Sequence, residues 1–240
     1  MNIICFLTVR PSKLFYDFCK QLKGPKYDIY ICIDDNSYSI FNCDNDITII
    51  KINNQDCENA GFKNTVTYCK NKACSRDKAL YYFCNNNIDF NYIWFIEEDV
   101  FIPNTDTILN IDNKYINSDL LCQSNTILYD KANSDNWYHW KRVFNECELE
   151  LPYCNSMVCA IRCSKKLLNI IQNYAVKYKT LFFCEVIFNT LAFQNNLEII
   201  IPDELQTIVF RRNWKIDEIK KTHLYHPIKD IALQYKYRAK

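Results

Sequence analysis

Nearly unbroken apolar residues fill positions 2–9 (NIICFLTV), which predicts a strand covered on both faces. Pro11 and Ser12 then open a stretch in which Leu14, Phe15, Phe18, Cys19 and Leu22 recur at helical spacing, and this helix should stop near Gly24 and Pro25. Two further apolar runs, 27–33 and 47–52, read as strands, the first ending in Asp34 and Asp35. Strand, helix and strand in this order begin a parallel α/β sheet. The Asn-rich residues 53–61 read as a loop, 64–84 as a helix and 92–96 as a central strand.

Beyond that strand, Asn104 or Thr105 can cap a short helix with Ile108 and Leu109 on its apolar side. Residues 120–123 and 157–161 predict strands, Ser164 caps a helix reaching residue 178, 181–193 predicts a second apolar helix, and 199–201 a strand end. Residues 129–150 are aromatic and polar without a period and read as a long loop. From 211 to 240 the chain is a charged tail containing HLYHP. No repeat or low-complexity linker interrupts the pattern. The expectation is one α/β domain, 1–240, with a mainly parallel central sheet flanked by helices and a soft division near residue 101 into halves 1–101 and 102–240.

Composition narrows the function classes. With 240 residues and 49% hydrophobic content the chain can bury a large core. Lys+Arg 29 against Asp+Glu 28 leaves a net charge of +1, so no overall basic field recruits nucleic acid. The apolar runs are too short to span a bilayer, and the N-terminus lacks the basic lead of a signal peptide, so the chain reads as cytoplasmic. The 14 cysteines fall inside apolar segments and read as small buried hydrophobes, not as a disulfide frame or a zinc cluster. Only two glycines, Gly24 and Gly61, occur. A glycine-rich phosphate loop is therefore excluded, and any bound diphosphate must be neutralised by Lys, Arg or a carboxylate-held metal.

That requirement converges on residues 94–103, WFIEEDVFIP, where an apolar strand runs into Glu97, Glu98 and Asp99. Carboxylates about 5 Å apart repel by roughly 3 kcal/mol per pair at an effective dielectric near 20, so a positive partner is expected. Strand alternation puts Glu97 and Asp99 on one side and Glu98 on the other, and such an oxygen pair suits Mg²⁺ or Mn²⁺.

Strand, helix, strand ending in Asp34 and Asp35, a helix bearing Arg76, Asp77 and Lys78, then an apolar strand closing on Glu97, Glu98 and Asp99 resembles a glycosyltransferase of the GT-A fold. The resemblance covers about the first 130 residues by order of elements and the rest more loosely. It implies a nucleotide-sugar donor, UDP by family frequency, and a "DxD" element ending the fourth strand that holds Mn²⁺ or Mg²⁺ across the diphosphate. The first acid here is Glu97, not Asp, so Asp99 is the first metal candidate and Glu97 the helper; Glu97 and Glu98 also count among the nucleotide-sugar-binding residues, with Glu98 the bystander toward the metal.

The resemblance further implies that Thr8, Val9 and Arg10 line the base pocket, that Asp34 or Asp35 accepts from base or ribose, and that Arg76 and Lys78 face base and phosphates. Solvated surface charge is the alternative for each. His226 in HLYHPIK resembles a C-terminal histidine that joins the metal, with Lys229 on the phosphate; a surface turn is the alternative. An inverting enzyme of this kind needs a carboxylate base, and Glu185, the one charge in LFFCEVIFNTLAF, is the candidate. An ion pair with Arg162 or Lys166 is its alternative. Trp137, His139 and Trp140 suit a sugar acceptor, or else form a packed aromatic plug.

The reading is a metal-dependent glycosyltransferase acting on a glycan or other hydroxyl acceptor, inverting, with retention left open. A sugar-nucleotide pyrophosphorylase or nucleotidyltransferase, and a catalytically inactive carbohydrate-binding module, are the alternatives. No nucleic acid or membrane partner is expected.

Overall fold

The first apolar run forms strand β1 (Asn2–Thr8), and helix α1 (Lys13–Gln21) follows, with the Ser12 hydroxyl accepting from the Phe15 amide at its N-terminus. The computed structural model describes residues 1–41, 46–64 and 72–239, and for 135 and 136 the backbone only. β2 (Tyr27–Ile33) has the expected bounds, and β3 (Thr48–Ile50) is shorter than its apolar run. Where a loop is expected, Asn53 caps a short helix, α2 (Asn54–Asn59), its side chain accepting from the Gln55 amide. Asparagine here serves as a cap, a role that Asn-rich composition conceals. α3 (Ser75–Asn85) is the second part of the helix expected over 64–84; residues 65–71 lie outside the described residues.

β4 (Tyr92–Glu97) carries the first acid at its last position. α4 (Asp106–Lys114) and the short β5 (Leu120–Leu121) follow. The expected loop at 129–150 instead holds a 3-10 turn and helix α5 (Trp140–Glu146), between strands β6 (Thr126–Leu128) and β7 (Tyr153–Asn155), which pair with each other. Trp140 and Val143 are buried in the core and Trp137 and Phe144 pack against it, while Tyr129 and Tyr138 stay exposed, so the segment is ordered by packing that no period announces. β8 (Ala160–Ser164) begins three residues later than expected, because its register is set by antiparallel pairing of Ala160 with Ile96 and Ser164 with Tyr92. α6 (Lys165–Tyr178) is capped by Ser164 as expected, α7 (Cys184–Gln194) starts after a non-helical Leu181–Phe183 stretch buried in the core, with Phe182 at φ +38°, and β9 (Ile199–Ile200) follows. The expected charged tail folds back and ends in α8 (Ile231–Arg238).

The sheet order is β3-β2-β1-β4-β8-β5-β9, and only β8 runs against its neighbours. This is the mainly parallel α/β sheet expected, and it continues across residue 101. One face packs on α3, α6 and α7, the other on α1 and α4. Alternation along β4 and β8 decides which side chain goes where. Trp94 pairs in register with Arg162, and both point to the α4 face, where Arg162 Nη1 meets Asp112 Oδ1 at 2.8 Å and Trp94 Nε1 donates to the same oxygen at 3.0 Å. Arg162 is therefore no partner of Glu185, which belongs to α7 on the other face. Among the described residues, no helix is long and apolar enough to cross a membrane.

One glycine is required by contact. Gly61 has φ +93°, and a Cβ there would lie 2.2 Å from the Ala175 carbonyl oxygen of α6. Gly61→Ala should destabilise the fold by about 3 kcal/mol, combining left-handed strain with overpacking against backbone that cannot retreat. Urea unfolding checks this; a loss within error of zero contradicts the contact.

Candidate active site

β4 leaves the sheet at the acids. The Glu97 amide donates to the Cys159 carbonyl at 2.8 Å, the Glu98 amide to Leu7 at 3.0 Å, and the Val100 amide closes a turn on Glu97 at 3.0 Å. Strand alternation therefore stops at Glu97, and the turn aims the next two acids separately. Glu97 meets Arg76, in the first turn of α3, at 2.6 Å, and the same guanidinium nitrogen donates to the Val158 carbonyl at 3.0 Å. Glu98 accepts from the Thr8 hydroxyl at 2.5 Å and lines a cavity. Burial pushes its carboxyl up, opposed by the Thr8 bond and reinforced by the Asp99 charge.

Asp99 faces the chain's return. The Phe101 amide donates to the Tyr225 carbonyl at 2.7 Å, and the Ile228 amide donates to the Asp99 carbonyl at 2.8 Å. Farther on, the Gln234 side chain donates to the Glu98 carbonyl at 3.0 Å and Arg238 Nε to Ile102 at 2.9 Å. These bonds set His226 against Asp99, with Nε2 3.5 Å from Oδ2. His226 Nδ1 lies 2.9 Å from the Val209 carbonyl, an acceptor, so Nδ1 carries a hydrogen and Nε2 is the nitrogen turned toward Asp99. Burial pulls the imidazole down, but the Asp99 bond and charge, the Val209 carbonyl and Glu97 outweigh it and leave it raised.

Ligand atoms of Glu97, Cys159 and His226 all lie within 4.8 Å of one another, and Asp99 adjoins them through His226. A carbonyl-oriented imidazole beside carboxylates is the donor chemistry of a divalent-cation site, and these residues fit one.

Two cavities open from this turn. The first, of about 840 Å³, is lined by Thr8, Val9, Arg10, Asp34 and the start of α3 at Cys74 and Ser75. The second, of about 1050 Å³, is lined by Glu185, Cys159, Arg211, Arg212 and Trp214. Arg76, Glu97, Asp99 and Lys229 line both, so the cavities meet at the acids. Glu185 sits in the first turn of α7, where burial pushes its carboxyl from 4.5 to about 7, with Arg76 pulling it down and Glu97 pushing it up.

Other expected residues stand elsewhere. Lys78 is fully buried and lines neither cavity; its Nζ donates to the Asp34 carbonyl at 2.6 Å and to Asn36 at 3.0 Å, bracing the turn after β2 from beneath. Asp35 pairs with Arg10 at 2.6 Å on the exposed rim. Trp140 is fully buried in the core, while the rings of Trp137 and His139 pack on Phe183 at 5.3 and 4.8 Å, and none of the three lines either cavity. Here the packed aromatic arrangement is what forms. Cys159, read from the sequence as a small buried hydrophobe and not as a zinc ligand, lines the second cavity just before β8; residues not singled out in the sequence include Phe210 to Trp214 (FRRNW), where two arginines between aromatic rings were the available signal.

No family model and no curated protein matches the chain. Three solved structures follow part of its path: galactosyltransferase LgtC with donor and acceptor sugar analogs (12% identity, 80% of this chain and 69% of that one, TM-score 0.43), 4-diphosphocytidyl-2C-methyl-D-erythritol synthase from Anaerococcus prevotii DSM 20548 (8%, 99% and 94%, TM-score 0.45), and apo mouse xyloside xylosyltransferase 1 (9%, 85% and 86%, TM-score 0.39). At these identities and scores the likeness transfers no residue role to this chain.

Proposed function

We propose that the chain is a divalent-cation-dependent glycosyltransferase moving a sugar from a nucleoside-diphosphate sugar, UDP-linked in the first instance, to a hydroxyl of a glycan or other acceptor. The observation that carries this is the meeting of two cavities at Arg76, Glu97, Asp99 and Lys229, with Glu185 in the second only. A group transferred between two substrates needs such a pair of chambers with charge at the boundary.

In this reading the nucleotide occupies the first cavity, along Thr8, Val9 and Arg10, with Asp34 held toward it by Lys78. Its diphosphate lies at the boundary, against Lys229 and Arg76. Asp99, Glu97 and His226 hold a Mn²⁺ or Mg²⁺ ion, which when bound supplies the charge that neutralises the leaving diphosphate. Glu185, in its ionised form, accepts the acceptor's hydroxyl proton as the new glycosidic C–O bond forms and the sugar–phosphate bond breaks. The products are an inverted glycoside and a nucleoside diphosphate.

The test is incubation with nucleotide sugars and Mn²⁺. Release of nucleoside diphosphate, dependent on the cation, supports transfer. Pyrophosphate exchange identifies a nucleotidyltransferase instead, and binding without turnover identifies a carbohydrate-binding module.

A further inference from the structure

We propose that Cys159 coordinates the cation through its sulfur, so that this centre favours thiophilic divalent ions of the Zn²⁺ and Co²⁺ class over Mg²⁺. The inference rests on the cation site of the proposed function and changes the chemistry of that site.

Backbone pairing brings the sulfur there. The Glu97 amide bonds the Cys159 carbonyl at 2.8 Å, and the next residue, Ala160, pairs with Ile96, so residue 159 lies beside the last strand acid. The Cys159 thiol, a Glu97 carboxylate oxygen and a ring nitrogen of His226 fall within 4.8 Å of one another. Around an ion with bonds of about 2.0–2.3 Å, tetrahedral donors stand roughly 3.3–3.8 Å apart, so side-chain rotations of about 1 Å close the set. The thiol also lines the second cavity, which gives an ion and solvent access to it.

Cys159 packs against the edge of one core cluster, yet unlike Cys5, Cys19 and Cys163, which lie inside the clusters, it lines a cavity. It stands against Glu97, with Arg76 and Asp99 near. Carboxylate oxygens alone suit Mg²⁺ or Mn²⁺, whereas adding imidazole nitrogen and thiolate sulfur moves preference toward Zn²⁺ and Co²⁺. On coordination the S–H bond is lost as the S–metal bond forms, and the proton leaves to solvent. With Asp99 and Glu97 as oxygen donors, the set is two oxygens, one nitrogen and one sulfur. A diphosphate oxygen can then enter only by expanding the shell or displacing a donor.

Co²⁺ reports its own ligands and is the probe for the full-length chain. Wild type should bind Co²⁺ with a near-ultraviolet sulfur-to-cobalt charge-transfer band. Cys159→Ser should lose that band and about tenfold or more in Co²⁺ and Zn²⁺ affinity, while Mn²⁺ affinity by calorimetry stays within about twofold. Cys184→Ser, altering the other thiol in the same cavity, should keep the band, and Cys159→Ala provides a second variant if the serine protein does not fold. A band that persists in both Cys159 variants overturns the proposal. Co²⁺ binding without any band also overturns it while leaving the cation site intact. Absence of Mn²⁺, Co²⁺ and Zn²⁺ binding alike overturns the proposal together with the cation site on which it rests.

Discussion

Glu185→Gln should abolish the transfer rate while leaving nucleotide binding in place and making the cation-free protein more stable at neutral pH. A positioned base contributes about 10²–10⁴-fold, so kcat should fall by that factor, with the nucleotide's Kd unchanged because Glu185 lines only the second cavity. The stability change follows from the direction of the shift. In the folded chain burial raises the Glu185 carboxyl from 4.5 to about 7, so folding favours its protonated form. The stability this gives is fully present below the unfolded value and is lost as pH rises through about 7. At pH 7 the wild-type protein should therefore be about 3 kcal/mol less stable than at pH 4 on this account alone, and glutamine, which cannot ionise, should remove the difference. The rate has the opposite dependence, since the ionised form accepts the proton: activity should rise with pH to a plateau. Near-normal turnover in Glu185→Gln, or unfolding curves with unchanged pH dependence, would remove Glu185 from this role.

Asp99→Ala should lower nucleotide affinity in Mn²⁺ by more than about 100-fold and leave the fold intact, with little effect on the weak binding seen without Mn²⁺. The side chain is exposed to the cavities, and the bond that fixes the C-terminal segment uses the Asp99 carbonyl, which alanine keeps. The wild-type ion affinity should also depend on pH. Burial alone would lower His226, yet Asp99 and its other partners hold it raised, so an arriving ion must displace a proton. Affinity should weaken as pH falls through that raised range. Calorimetric titration of nucleotide with and without Mn²⁺ checks both statements, and equal affinities for wild type and Asp99→Ala would take the cation away from this carboxylate.

How far the sequence carries depends on the kind of signal. β1, β2 and β4 lie within the sheet, and buried strands write their apolar runs openly. Ser12 and Ser164 announce helix starts because capping is a local bond. Local signals fail where tertiary pairing decides. The start of β8 is set by its antiparallel partner, and Trp140, which in sequence suits an acceptor site as well as a packed plug, fills the core. At the site, the acids were legible because three carboxylates in an apolar setting are costly. The direction of each was not, since a turn at residue 98 breaks the alternation that assigned them. Lys78 shows the same limit. A lysine on a helix facing the first half could serve phosphate, yet its length is spent reaching the backbone of residue 34. Cys159 was read as a core side chain for a different reason: a cysteine in an apolar run carries no mark distinguishing such a side chain from a donor.

The docking of residues 225–238 on the turn after β4 ties two distant stretches of chain into one thermodynamic unit. An ion bridging Asp99 and His226 adds its binding free energy to the attachment of α8, and by reciprocity whatever lifts α8 weakens the ion's hold by the same factor. On the proposed cation site, loss of the ion should therefore loosen the helix at residues 231–238 before it touches the sheet. Ion occupancy and order of that helix are one equilibrium, seen from its two ends.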